Sequence, residues 1–145
     1  MAFRSFAHWS GSTPQVATRR VVSRLCCIGP LTPADVDDLR RMSDLRDLTL
    51  EGIETFPQGL CTMTQLRSLT INRRGEDGVS ELPGEIAELA SLRTLRIRAK
   101  RLTTLPDSIA DLDALVELDL RHSGVVRLPD RLMEVPKLRR IFVAR

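Results

Sequence analysis

Leucine and other aliphatic residues return along this chain at a nearly constant interval. Five stretches begin with leucine and place apolar residues at their first, fourth and sixth positions, and the first four have a polar residue at the fifth. Alternation of this kind over so few positions predicts a short β-strand with one buried face. The residues that open the five units are Leu45, Leu66, Leu92, Leu115 and Leu138.

Each of the first four units then contains a turn built around proline. The four segments read IETFPQGL, VSELPGEI, LTTLPDSI and VVRLPDRL. Proline fixes φ and suits the start of a short helical or extended segment. The Ile or Leu three positions later would fold that segment back against the strand. Because one unit cannot bury its apolar face alone, we expect the units to stack into a solenoid.

The repeat resembles the leucine-rich repeat family over roughly residues 22–145. Its LPxxI turn is similar to that of plant Ras-group repeat proteins and of many bacterial proteins. These include type III secretion effectors, some of which carry a ubiquitin-ligase domain after the repeats. The resemblance implies an α/β fold, a right-handed leucine-rich-repeat solenoid. Short parallel strands would line its concave side, and short helical or extended segments its convex side.

The periodicity divides the chain into three parts. Residues 1–20 have no such periodicity, and we expect them to form a disordered tail. An organelle transit peptide or a type III export signal are the alternatives. Residues 21–44 read as an amino-terminal cap. It contains a divergent first unit and a helix over TPADVDDLRRM, which has a Thr cap and Pro at the first position. Residues 45–145 hold the repeats, without an evident carboxy-terminal cap.

Two features depart from the family pattern. The family usually has asparagine at the ninth position of a unit, where this chain has Arg74, Lys100 and Ser123. Water or main chain must then satisfy the turn backbone there. The segment NRRGEDGVS carries three extra residues with Gly75 and Gly78, and predicts a flexible protrusion beside the strands.

Composition narrows the class of protein. The chain is 42% hydrophobic and 28% charged but only 3% aromatic, so aliphatic side chains must fill the core. Three cysteines without a framework spacing, and two histidines far from them, predict buried thiols in a reduced compartment and no metal or cofactor. No apolar stretch is long enough to span a membrane. We expect a cytoplasmic protein, or one delivered into a host cell as an effector.

The charge is unevenly distributed over the predicted faces. The strand-and-turn windows hold 13 basic and 6 acidic residues, a net charge of +7, whereas the intervening windows hold 3 basic and 9 acidic residues. The strand-and-turn windows are 45–52, 66–78, 92–101, 115–124 and 138–145. These counts predict a basic concave side and an acidic convex side.

The basic residues are densest in LRTLRIRAKR, residues 92–101. Lateral stacking of the units places Arg96 beside Asp119 and Arg98 beside Arg121. We expect Arg96 and Asp119 to form an ion pair. Arg98 and Arg121 would repel each other unless an acidic group from outside arrives, which predicts a binding site.

The sequence therefore predicts a protein–protein interaction module that binds an acidic protein partner through its concave face. A solvated face with internal salt bridges is the competing interpretation. Nucleic acid is disfavoured because no aromatic residues alternate with the arginines. The expected partner-binding residues are Arg67, Thr70, Asn72, Arg93, Arg96, Arg98, Asp119 and Arg121.

The sequence offers no nucleophile and base in a catalytic arrangement. His122 and Ser123 are adjacent, so their side chains point apart, and no third residue orients them. We expect no enzymatic activity. Two alternatives to a free-standing module stay open. The repeats could target substrates for a larger bacterial effector, such as a ubiquitin-ligase effector. They could also self-associate as a scaffold, forming a homodimer through the uncapped carboxy-terminal strand.

Overall fold

The computed structural model describes residues 6–9, 22–74 and 78–143. Within them, seven strands form one parallel sheet in which every strand pairs with its neighbours in sequence. This arrangement confirms the predicted solenoid. The strands are β1 (Phe6–Trp9), β2 (Arg24–Ile28), β3 (Asp47–Glu51), β4 (Ser68–Asn72), β5 (Thr94–Arg98), β6 (Glu117–Leu120) and β7 (Arg140–Val143).

The apolar positions of the strands form continuous columns through the core. The register pairs Leu48 with Leu69 and Leu69 with Leu95, so the fourth residues of successive units lie side by side. Each of these three leucines is at most 1% exposed. The sixth positions form the second column, in which Leu50 pairs with Ile71. The core is thus a stack of equivalent aliphatic side chains, as the repeat predicts.

The segments that return the chain between strands are short. One is an α-helix, α1 (Pro33–Arg41), whose amino end carries a complete capping box. The Thr32 hydroxyl accepts a hydrogen bond from the Asp35 backbone N–H, and the Asp35 carboxylate accepts one from that of Thr32. The other four are 3₁₀ helices, each preceded by the proline of the LPxxI turn: Gln58–Thr62, Gly84–Glu88, Asp107–Asp111 and Asp130–Glu134.

Main-chain hydrogen bonds and one serine take over the role of the missing asparagines. At the ends of β3 and β4, the N–H of Gly52 donates to the Asn72 carbonyl at 3.1 Å, and that of Arg73 donates to the Arg98 carbonyl at 2.8 Å. Gly52 adopts a φ of 68°, which favours glycine. In the last turn the buried Ser123 hydroxyl donates to the Leu120 carbonyl at 2.8 Å. The two main-chain bonds hold neighbouring strand ends in lateral register, and the serine bond closes the turn after β6.

Part of the predicted protrusion is packed against the solenoid. Residues 75–77 lie outside the described residues. Gly78 and Val79, which follow them, are buried. A Cβ on Gly78 would lie 3.4 Å from the Cβ of Ala99. The segment therefore returns to the core immediately after the insertion.

Four residues within the predicted tail form a strand. Phe6–Trp9 form β1, which pairs in parallel with β2 from Phe6 beside Arg24 to Trp9 beside Cys27. Without β1, the outer edge of β2 would expose unpaired backbone N–H and C=O groups, so the added strand satisfies them. The rest of residues 1–20 lies outside the described residues, and the proposed domain boundaries stay a prediction.

Candidate functional site

The outward-facing side chains of β3–β7 form a continuous polar surface, here called the concave face. They alternate with the buried leucines along each strand, so every strand contributes two or three of them. Short hydroxyl side chains occupy its middle, and charged ones its two sides. The concave face comprises Asp47, Thr49, Glu51, Ser68, Thr70, Asn72, Thr94, Arg96, Arg98, Glu117, Asp119, Arg140 and Phe142.

Arg96 forms its ion pair with Glu117, and the prediction that it pairs with Asp119 is wrong. Its Nη2 lies 3.0 Å from Oε1 of Glu117, while Nη2 of Arg140 lies 3.0 Å from the other carboxylate oxygen. The backbone register does place Arg96 beside Asp119. A long arginine side chain reaches the diagonal neighbour as well, and Glu117 is available because Asp119 is engaged elsewhere.

Asp119 forms an ion pair with Arg121, which lies in the turn immediately after β6. Nε of Arg121 lies 3.0 Å from Oδ1 and its Nη2 lies 2.7 Å from Oδ2, and the Arg121 backbone N–H also donates to Oδ1. These hydrogen bonds keep the pKa of the Asp119 carboxyl below its ordinary value. The guanidinium carbon lies 4.8 Å from the centre of the Phe142 ring. The expected unrelieved repulsion between Arg98 and Arg121 is therefore wrong, because Asp119 neutralises Arg121 from within.

Three other predicted arginines are not neutralised in this way. Arg67 and Arg93 immediately precede β4 and β5, Arg98 ends β5, and all three are exposed. In the part of the chain that the structure describes, none of the three forms an ion pair. They are called the unpaired arginines below. The predicted residues thus divide into a neutralised group and a group that presents positive charge to solvent.

The two uncharged residues of the prediction lie between these groups. Thr70 and Asn72 are half-buried on β4, and Thr70 is flanked by Thr49 and Arg96 in the register. The amide nitrogen of Asn72 donates to the Glu51 carboxylate at 3.3 Å. These contacts fix the orientation of the amide at the end of the strand.

An open depression of about 370 Å³ lies at the carboxyl ends of the strands. It is lined by Glu51, Asn72, Arg73, Arg98 and His122. Sequence reasoning placed Asn72 and Arg98 in the site but missed the other three. Glu51 could have been found, because it occupies the same strand position as Asn72 and Arg98. Arg73 and His122 belong to turns, where alternation no longer tells which way a side chain points.

The cysteine side chains of the described residues are buried and unreactive. Cys26, Cys27 and Cys61 are free and buried. Burial raises the pKa of the Cys27 thiol to about 12 and that of Cys61 to about 11, so both stay protonated at neutral pH. Within residues 6–9, 22–74 and 78–143, no three His, Cys, Asp or Glu side chains are grouped closely enough to hold a metal ion.

No helix among the described residues has the length and apolar character needed to cross a bilayer.

Comparison with known proteins agrees with the architecture. A family model described as a leucine-rich repeat region matches residues 34–144. No curated protein matches the chain. The solved structures similar to it include a leucine-rich repeat protein of Leptospira interrogans, with a TM-score of 0.68 and 22% identity, which covers 79% of this chain and 28% of that one.

Two further structures share the fold. An internalin of Listeria monocytogenes has a TM-score of 0.59 and 17% identity, over 84% of this chain and 34% of the internalin. The leucine-rich repeat domain of the type III effector XopL has a TM-score of 0.56 and 22% identity, over 83% of this chain and 43% of that domain. This chain thus spans less than half the length of the structures it matches.

The family match extends over most of the chain, and the stacked parallel strands supply the geometry that the family predicts. Proteins built from this repeat typically bind other proteins and do not themselves catalyse reactions. The chain therefore belongs to the leucine-rich repeat family and is a protein-interaction repeat module.

Proposed function

We propose that this module binds an acidic segment of a partner protein along its concave face. The observation that carries the proposal is the division among its arginines. Asp119 balances the charge of Arg121, and Arg96 shares the Glu117 carboxylate with Arg140. Arg67, Arg93 and Arg98 form no ion pair among the described residues, and their positive charge is available to a partner.

The shape of the concave face suits an extended segment. Thr49, Thr70 and Thr94, with Ser68, give the middle of the face short hydroxyl side chains that both donate and accept hydrogen bonds. The taller ion-paired side chains rise on one side of this strip. A peptide could therefore lie across the strands with its backbone over the hydroxyls and its carboxylates near the unpaired arginines.

Electrostatics strengthens the same proposal. The three unpaired arginines lie at β4 and β5, whereas the segments between the strands hold 3 basic and 9 acidic residues. The unpaired arginines at β4 and β5 would steer an acidic partner toward this side of the solenoid and accelerate encounter. Salt screens such steering, so association should weaken as ionic strength rises.

Nucleic acid fits this surface less well than an acidic protein. Binding of single strands relies on aromatic rings on which bases stack. Phe142 is the aromatic residue on the concave face, and its ring already contacts the Arg121 guanidinium. The competing interpretation of a self-neutralised face accounts for Arg96 and Arg121 but leaves the unpaired arginines unexplained.

Affinity capture with two charge-matched variants tests the proposal. Arg93→Glu/Arg98→Glu reverses two of the unpaired arginines, one immediately before β5 and one on the concave face at its end. Arg127→Glu/Lys137→Glu reverses two exposed charges beyond the strands. Both variants carry a net charge of −1, so bulk charge affects them equally. We expect an acidic partner from a source or host lysate to be retained by wild type and the second variant and lost by the first.

Equal retention by both variants would contradict a role for the concave face. The targeting of substrates for a larger bacterial effector and self-association as a homodimer both stay predictions. So do the acidic character of the partner and the location of the protein.

A further inference from the structure

We propose that the depression at the carboxyl ends of the strands receives a single carboxylate side chain, Asp or Glu, of the acidic partner. The inference rests on the function proposed above and identifies which chemical group of the partner is recognised. It adds Arg73 and His122 to the binding surface. The depression would be the point at which the concave face distinguishes an acidic residue from a neutral one.

Backbone hydrogen bonds hold the lining residues in place. Gly52 N–H donates to the Asn72 carbonyl, and Arg73 N–H donates to the Arg98 carbonyl. The register also places Glu51, Asn72 and Arg98 side by side on three consecutive strands. The side chains therefore start from a fixed frame, and a ligand does not have to order the backbone before it binds.

The balance of charge in the depression matches one carboxylate. Arg73 and Arg98 contribute two positive charges and Glu51 one negative charge, which leaves +1 with His122 counted as neutral. A carboxylate brings the site to neutrality. A phosphate group, with nearly two negative charges at neutral pH, would leave an excess of negative charge close to Glu51.

The floor of the depression holds an unused donor and an unused acceptor. Nη1 of Arg73 and Oδ1 of Asn72 are buried and find no hydrogen-bond partner in the described part of the chain. Turning the Arg73 nitrogen toward a ligand would break no hydrogen bond. A carboxylate oxygen would then accept from Arg73 and Arg98. The buried Asn72 oxygen would have to turn toward the depression as well, to accept from a main-chain N–H of the same ligand residue.

Glu51 is already committed within the protein. Its carboxylate accepts a hydrogen bond from the Asn72 amide nitrogen at 3.3 Å. The amide consequently presents its oxygen away from Glu51, as an acceptor. An acidic residue carries both groups that such a lining would bind, a side-chain carboxylate and a main-chain N–H.

The test uses small probes and needs no identified partner. N-acetyl-glutamate N-methylamide, its glutamine analogue and inorganic phosphate are each titrated into ¹⁵N-labelled protein. The chemical shifts of the backbone and arginine side-chain N–H groups are followed. We expect saturable shifts at Arg73 and Arg98 with the glutamate probe and none with the glutamine probe.

A pair of matched variants checks where the probe binds. Arg98→Gln should weaken binding of the glutamate probe at least about tenfold, the loss expected for a charge-assisted hydrogen bond. Arg101→Gln removes the same charge from an exposed residue that does not line the depression, and should leave binding unchanged. Equal binding of the glutamate and glutamine probes, or equal effects of the two variants, would overturn the proposal. Tighter binding of phosphate would overturn the assignment to a carboxylate.

The outcome is separable from that of the capture experiment. If the probe does not bind but the concave double variant still loses its partner, the concave face stands and the depression is not its recognition point. If the probe binds and capture is unaffected by the double variant, the depression binds carboxylates but the proposed function is wrong.

Discussion

Two buried acidic side chains, Glu117 and Asp119, hold some of the arginines in ion pairs and leave the others available to a partner. Glu117 is 8% exposed and Asp119 is 6% exposed, and each is matched to at least one guanidinium group. A carboxylate this deeply placed needs a partner, because burying it unpaired is unfavourable. Arg96, Arg140 and Arg121 therefore stabilise the face, and recognition is left to the arginines that precede β4 and β5 or end β5.

The Asp119–Arg121 pair predicts a specific pH dependence. Hydrogen bonds from Arg121 lower the pKa of Asp119, so ionisation of this carboxyl stabilises the fold above the ordinary aspartate pKa of about 4. That stabilisation is lost as the pH falls through the lowered pKa. We expect the free energy of unfolding of Asp119→Asn to fall less between about pH 7 and about pH 3 than that of wild type.

Urea unfolding at both pH values measures this difference. Asp130→Asn, which changes an exposed carboxylate outside the ion pairs, serves as the control and should follow wild type. Parallel behaviour of the Asp119 and Asp130 variants would show that the pair does not couple stability to pH.

The limits of prediction at the residue scale follow from side-chain length. Register alone brought Arg96 beside Asp119, and the backbone confirms that placement. The ion pair formed elsewhere, because an arginine side chain reaches diagonal neighbours and Asp119 has a closer partner in the following turn. Periodicity fixes Cα positions but does not decide between two guanidinium groups that compete for one carboxylate.

Elements were easier to predict than their contacts. The strands, the proline turns and α1 follow from local patterns of apolar residues, proline and a capping threonine, and the structure has all three. The strand β1 was missed because four residues carry too little periodicity to be recognised. Its position depends on the backbone groups at the edge of β2, which no pattern within residues 6–9 reveals.

Neighbouring units approach each other closely at the turn that contains Gly124. A Cβ on Gly124 would overlap the Lys100 carbonyl oxygen, and the Gly124 N–H donates to the Ala99 carbonyl at 3.2 Å. Gly124→Ala should therefore force two turns apart and lower the free energy of unfolding by about 1–3 kcal/mol. Equilibrium unfolding in urea provides the value.

Gly84→Ala is a matched control for this turn. A Cβ on Gly84 would make an ordinary contact, 3.7 Å from the Ser108 hydroxyl oxygen. Alanine also reduces the freedom of the unfolded chain, so this variant should be as stable as wild type or more stable by up to about 1 kcal/mol. If Gly124→Ala were equally neutral, the close approach of the units at Lys100 would be wrong.

At the scale of the whole molecule, the repeat separates stability from recognition. Leucines at the fourth and sixth positions form one uninterrupted core, and the positions between them are left to vary on the concave face. The sequence predicts this separation, because it follows from a period that every unit repeats, whereas the basic character of the strand side stays a prediction. The sequence does not predict the depression, whose lining combines strand ends with two turns.

We propose that the unpaired arginines at β4 and β5 attract acidic protein segments to the concave face. The most direct test of this claim is the fluorescence anisotropy of a labelled glutamate-rich peptide titrated with three proteins. These are wild type, Arg93→Glu/Arg98→Glu and the charge-matched Arg127→Glu/Lys137→Glu. We predict that the concave double variant binds at least about tenfold more weakly than the matched variant, since two charge-assisted contacts are lost. Equal affinity of the two variants would show that overall charge, and not this face, attracts the peptide, and would contradict the claim.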